Sequence, residues 1–200
     1  MSDLSLVLDG DGLERFGNLV GALSGVELAQ VKARALNHTG AKARTQVKRA
    51  LARQTGLKPA IVQRALKVRR ATGGRLAYVI TGRGGEIALR FFGPRETRKG
   101  VSAAPFGERR VFDGTFLKGG LFPNRRELRL GGQVFEPDRS VKAWGRPATV
   151  VKSGVVIPAE MVKGETASAF QSMAPALGER LAHEIGRSQD LRDLTGGSIF

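Results

Sequence analysis

The chain has 200 residues and no cysteine, which excludes disulfides, thiolate nucleophiles and cysteine-ligated zinc; folding at this length removes roughly 70% of the unfolded surface from water. Hydrophobic residues at 41% and charged residues at 26% are ordinary for one globular domain, whereas 27 glycines, about twice the usual share, call for long loops and tight turns. The net charge of +15 is concentrated: between Glu27 and Glu86 stand fourteen Lys or Arg residues and no Asp or Glu.

The first residues, "MSDLSLVLDGDG", are acidic where a secretory signal is basic, and no run approaches the ~20 apolar residues of a membrane span. A protein that stays where it is made, with no membrane partner, is expected. "LSLVL" reads as a short strand ending at "DGDG". Asp11 is placed to cap a glycine-weakened helix, and Ser24 to cap the strongest helical stretch of the chain. Within that stretch Leu28, Val31, Ala35, Thr39, Ala43, Val47 and Ala50 recur at intervals of three or four, so they share one stripe of a helix of roughly eight turns. Arg34, Arg44, Lys48 and Arg49 lie on the remaining arc. Gly40 reads as a local weakness. Thr55-Gly56 should end the helix and Pro59 begin a second, with Ile61, Val62 and Leu66 inward, giving a helical hairpin.

From Val68 to about Val151 the period becomes two. "RLAYVIT" and "GEIALRFF", separated by "GRG", read as an antiparallel pair joined by a glycine turn. One or two strands are expected around Pro105-Phe106-Gly107, and "ATVVK" and "GVVIP" should be the last. From Thr166, the residues Phe170, Met173, Leu177, Leu181 and Ile185 keep a helical interval, with a kink at Pro175. The expected fold is therefore α+β. A long N-terminal helix or helical hairpin and a C-terminal helix pack on an antiparallel sheet or small β-sandwich with long glycine-rich loops. One domain spans 1–200, with N-terminal strand and helices at 1–67, a β region at 68–157, a C-terminal helix at 158–187 and a flexible tail at 188–200.

Residues for catalysis are scarce, and no enzyme activity, cofactor or metal is expected. The two histidines are His38 and His183; a zinc-protease helix would need another at position 187, which is Arg187. A dinucleotide fingerprint beginning at Gly10 and Gly12 fails at Arg15, and a calcium loop fails at Leu13, whose side chain offers no oxygen. No glycine-rich phosphate loop ending in Lys-Ser/Thr occurs.

The carboxylate-free run is the informative feature. A merely soluble helix interleaves its charges and gains i,i+4 pairs, whereas here neighbours repel. From Val31 to Ala77 there is no aromatic residue to stack on bases, so phosphate contact without base recognition is the nucleic-acid mode left open. An acidic protein surface is the other partner that would relieve such a face.

"ALNHTGAKARTQVKRALARQTGLKPAIVQRAL", followed by "FDGTFL" and later by "SGVVIPAEMVKGETASAF", resembles the minor tail protein Z family of lambda-like tailed bacteriophages and prophages, also called tail completion proteins. The resemblance covers about the first third and last quarter of the chain. It implies a structural role in the virion, at the head-proximal end of a long non-contractile tail, with the host cytoplasm as the place of assembly. It also implies a homohexameric ring at the tail and neck junction, with tail terminator, tube and neck proteins as partners and the genomic DNA end passing through. On that reading Arg44, Lys48, Arg49 and Arg53 are the leading contacts to an anionic partner, and Arg83, Arg95 and Lys99 are loop candidates for facing DNA. A free, sequence-nonspecific DNA-binding protein is the alternative.

Overall fold

A computed structural model describes residues 4–9, 25–121, 123–141 and 147–194. The architecture is α+β, with a long N-terminal helix, a C-terminal helix and several small antiparallel sheets. The helix expected after Asp11 and the cap at Ser24 lie outside the described residues.

Helix α1, Gly25–Thr55, is the spine of the fold. Its sequence is rich in alanine and long straight side chains, which lose little rotamer freedom in a helix. Of the seven residues expected on its apolar stripe, all but Leu28 are buried; Ala33, Leu36, Gly40, Leu51 and Thr55 widen the buried surface. Leu36 and Leu51 are fully buried, each contributing about 1.5–3 kcal/mol relative to exposure. The helix ends where expected. Thr55 bonds back to the Leu51 carbonyl at 2.6 Å, and Gly56 takes φ 74°. A side chain at Gly56 would also strike the backbone of Ala104 and Gly107. Pro59 then opens α2, Pro59–Ala65, completing the hairpin.

The first sheet contains β1 (Leu4–Asp9), β2 (Leu66–Arg69) and β3 (Ala77–Gly82), in the order β1-β3-β2. β3 is central, with Leu8 opposite Tyr78 and Val68 opposite Ile80. Along β3 the buried residues alternate as Tyr78, Ile80 and Gly82, and this face lies on α1. The expected hairpin between "RLAYVIT" and "GEIALRFF" does not form. Both edges of β3 are already occupied, so β4 (Glu86–Ala88) pairs instead with the distant β12 (Lys152–Val156). The glycine segment between β3 and β4, with Gly84 at φ 120°, turns the chain away from the first sheet.

β5 (Arg95–Glu96), β6 (Gly100–Ala103) and β7 (Arg110–Asp113) form a second three-stranded sheet, interrupted as expected by a turn at Pro105–Gly107. Three short pairs complete the β region: β4 with β12, β8 (Lys118–Gly119) with β9 (Arg126–Glu127), and β10 (Phe135–Pro137) with β11 (Ala148–Val150). The C-terminal helix is broken rather than kinked. A short α3 (Ile157–Met161) precedes α4 (Gly164–Gln171), and α5 (Ala174–Leu194) starts afresh with Pro175 in its first turn, where the missing N–H costs nothing. α5 also runs past residue 187, where the helix was expected to stop.

Gly40 is no weakness. A β-carbon there would lie within 3.0 Å of three ring carbons of Tyr78, so glycine lets the sheet's aromatic ring rest directly on the helix backbone. Gly40→Ala gains about 1 kcal/mol of helix propensity but overpacks a fully enclosed contact, which costs about 1–3 kcal/mol or more. A net loss of stability is expected in chemical denaturation, and the loss should vanish in a Tyr78→Ala background. A more stable single variant would show that the ring has room to move.

Candidate anion interface

The charge along α1 is partly neutralised from the far end of the chain. Glu184 on α5 is buried, 2% exposed, and accepts hydrogen bonds from Arg34 Nε at 3.1 Å and from Arg180. Arg34 also donates to Ser188 Oγ at 3.1 Å. Burial pushes the Glu184 carboxyl up, but the Arg34 hydrogen bond together with the charge and hydrogen bond of Arg180 outweighs it, holding the group below its ordinary value. Farther along α1, Arg53 pairs with Glu165 of α4. Two amides clasp the same helix to its neighbours. Asn37 donates to the Ala71 carbonyl and accepts from the Ala71 N–H, both at 2.9 Å, which fixes the chain after β2. Gln54 donates to Glu160 and accepts from the N–H and hydroxyl of Thr166, tying α3 and α4 to the C-terminal end of α1.

The four leading cations do not form one patch. At about 100° per residue, Arg44 and Lys48 are about 40° apart, while Arg49 is about 140° from Arg44 and Arg53 lies on the opposite flank. Arg44 and Lys48 line the cleft between α1 and the α2–β2 segment, Arg49 is exposed, and Arg53 is engaged by Glu165. The cleft has two adjoining parts. An inner cavity of about 240 Å³ is lined by Arg44, Thr45, Lys48, Gln63, Arg70 and Tyr78. An outer one of about 790 Å³ shares Arg44 and Gln63 and adds Arg64 and Lys67. No carboxylate lines either part, and among the described residues Arg44, Lys48, Arg64, Lys67 and Arg70 make no ion pair.

The loop candidates are separated. Arg83 follows β3, and its N–H donates to the Ala65 carbonyl at 2.9 Å. Arg95 opens β5 and is exposed; Lys99, in the turn before β6, lines a different cavity of about 350 Å³ with Lys118 and Arg125. Arg125 is itself paired with Glu96.

His38 and His183 are exposed at the seam between α1 and α5. Partial desolvation, followed by the charges of Arg180 and Lys42, holds His38 below its usual value. Among the described residues no group of three His, Asp or Glu side chains is placed to hold a metal, and no helix is long and apolar enough to cross a membrane.

Sequence reasoning missed Glu184, Asn37, Gln54 and Tyr78. For Tyr78 a signal existed, a large aromatic facing a mid-helix glycine, but only the tertiary contact pairs them. No family model, curated protein or solved structure matches the chain.

The depressed Glu184 pKa fixes the sign of a pH dependence. Its contribution to stability is fully present above about 4.5 and is lost as pH falls through the lower folded-state value. Wild type should therefore exceed Glu184→Gln in stability at pH 7, and the difference should shrink in urea titrations run progressively below pH 4.5. A difference independent of pH would mean that the ionised carboxylate contributes nothing.

Proposed function

We propose that this chain is a structural protein of a tailed-phage virion, finishing the head-proximal end of a long non-contractile tail as a ring through which DNA passes. The observation that carries the reading is the cationic cleft along α1, which lacks a carboxylate of its own and lies within the segment whose sequence resembles tail completion proteins. Such a surface needs an anionic partner to be stable in an assembly. Six copies at +15 would carry about +90, a self-repulsion that opposes closure until counter-charge is supplied. An acidic rim of terminator or tube subunits, or the entering DNA end, supplies it. Leu121 and Leu130, 88% and 54% exposed beside β8–β10, add apolar surface for a neighbouring subunit to cover.

The test is charge reversal in the phage. Arg44→Glu with Lys48→Glu should leave the fold intact, since surface substitutions change stability by about ±0.5 kcal/mol, yet leave heads and tails unjoined in electron micrographs and abolish plaques. Normal titre and normal joined particles would remove the role, as would virions that lack the polypeptide. The free DNA-binding alternative makes a different demand on the purified protein. With about six phosphate contacts, log K should fall against log salt with a slope of roughly −5, without any requirement for virion assembly.

A further inference from the structure

The inner cavity has features that a solvated basic face lacks. Tyr78 is only 3% exposed, with its ring against Gly40, and its hydroxyl makes no hydrogen bond to any described residue although it borders the cavity. Arg44 and Arg70 lie close enough to that hydroxyl to stabilise its ionised form, while burial opposes ionisation more strongly. Lys48 lines the same wall one helical turn beyond Arg44, and Thr45 and Gln63 add polar groups. Three cations and a hydroxyl with no protein partner therefore line one cleft with no acidic group to balance them.

We infer that this cavity binds a terminal phosphate group, a phosphomonoester or the phosphorylated end of a nucleic acid, with the rest of the ligand lying in the outer cleft beside Arg64 and Lys67. A terminal phosphate carries about 1.5 to 2 negative charges at neutral pH and three acceptor oxygens, which suits two guanidinium groups, an ammonium and a phenol. A carboxylate or an internal phosphodiester brings one charge and fewer free oxygens, leaving part of the cluster uncompensated. The inference stands on the cleft alone and survives the loss of the virion assignment.

Tyr78 is the only tyrosine, so full-length protein labelled with ¹³C-tyrosine reports the site through one set of ring resonances. At constant ionic strength, balanced with chloride, inorganic phosphate and AMP should each shift these resonances saturably with one-to-one stoichiometry. Arg44→Gln and Arg70→Gln should each weaken the affinity by about tenfold or more, read by calorimetry where the ring shift is small. Tyr78→Phe, which keeps the ring on Gly40, should weaken it by up to about tenfold, and Lys152→Gln on distant β12 should leave it unchanged. Circular dichroism of each variant checks that it is folded.

Oligothymidylate with a 5′-phosphate, compared with the same strand ending in a 5′-hydroxyl, separates the sources. A phosphorylated strand that displaces AMP, beside an inactive hydroxyl strand, assigns the site to a nucleic-acid end. AMP binding that neither strand disturbs assigns it to a small phosphomonoester. Equal shifts from both strands or from polyglutamate, an absence of saturable phosphate binding, or equal weakening by Lys152→Gln would each overturn the inference.

Discussion

The contact between Gly40 and Tyr78 sets the distance between the spine helix and the first sheet. With any larger residue at Gly40, β3 would have to move outward, carrying β1 and β2 on its two edges. The same stripe of α1 supplies Ala35, Ala43 and Ala50, all fully buried, so the helix presents a shallow surface that other elements approach closely. Larger side chains fill the space on either side: Leu36, Val47 and Leu51 from the helix, Ile80 and Val62 from the strand and hairpin, and Leu181 and Ile185 from α5. Small residues at the centre and large ones flanking them let one helix serve as the common wall for both the sheet and the C-terminal helices.

The polar ties are arranged around that spine with unequal consequences. The Arg53–Glu165 pair is exposed and contributes little net stability in water, whereas Glu184 is buried, and loss of its partners would strand a charge at the seam between α1 and α5. Asn37 and Gln54 act on backbone groups that no strand or helix satisfies, one on the sheet side and one on the C-terminal side. Together they hold α1 in one rotational setting. That setting turns Arg44 and Lys48 toward the cleft and Arg53 toward α4.

Features governed by neighbours in sequence were legible before the structure. The α1 stripe follows from spacing, its end from Thr55-Gly56, and the start of α2 from Pro59, because each depends on backbone geometry within a turn or two. The turn at Pro105–Gly107 and the two last strands belong to the same class. The partner of β4 was not legible, since pairing depends on which edges are free in three dimensions and β1 had already taken one side of β3. The run without carboxylates misled in a related way. Local counting could not see that Glu165 and Glu184 return to α1 from more than a hundred residues away, so four cations grouped by sequence fell on different sides of the helix.

What remains after those long-range pairs are formed is informative because it is costly. Arg44 and Lys48 are one turn apart on the same flank, an arrangement that destabilises a helix by roughly 0.2–0.5 kcal/mol. The nearby Tyr78 ring is buried, and its hydroxyl opens on the cavity with no partner among the described residues. The fold shows elsewhere that it can bring a glutamate to an exposed arginine, as Glu165 does for Arg53. Like-charge repulsion and an unpartnered hydroxyl therefore meet in one carboxylate-free cavity, beside Arg70 and opening toward Arg64 and Lys67. Packing alone does not account for this grouping, whereas an anion seated there would cancel the repulsion and accept a hydrogen bond from the phenol.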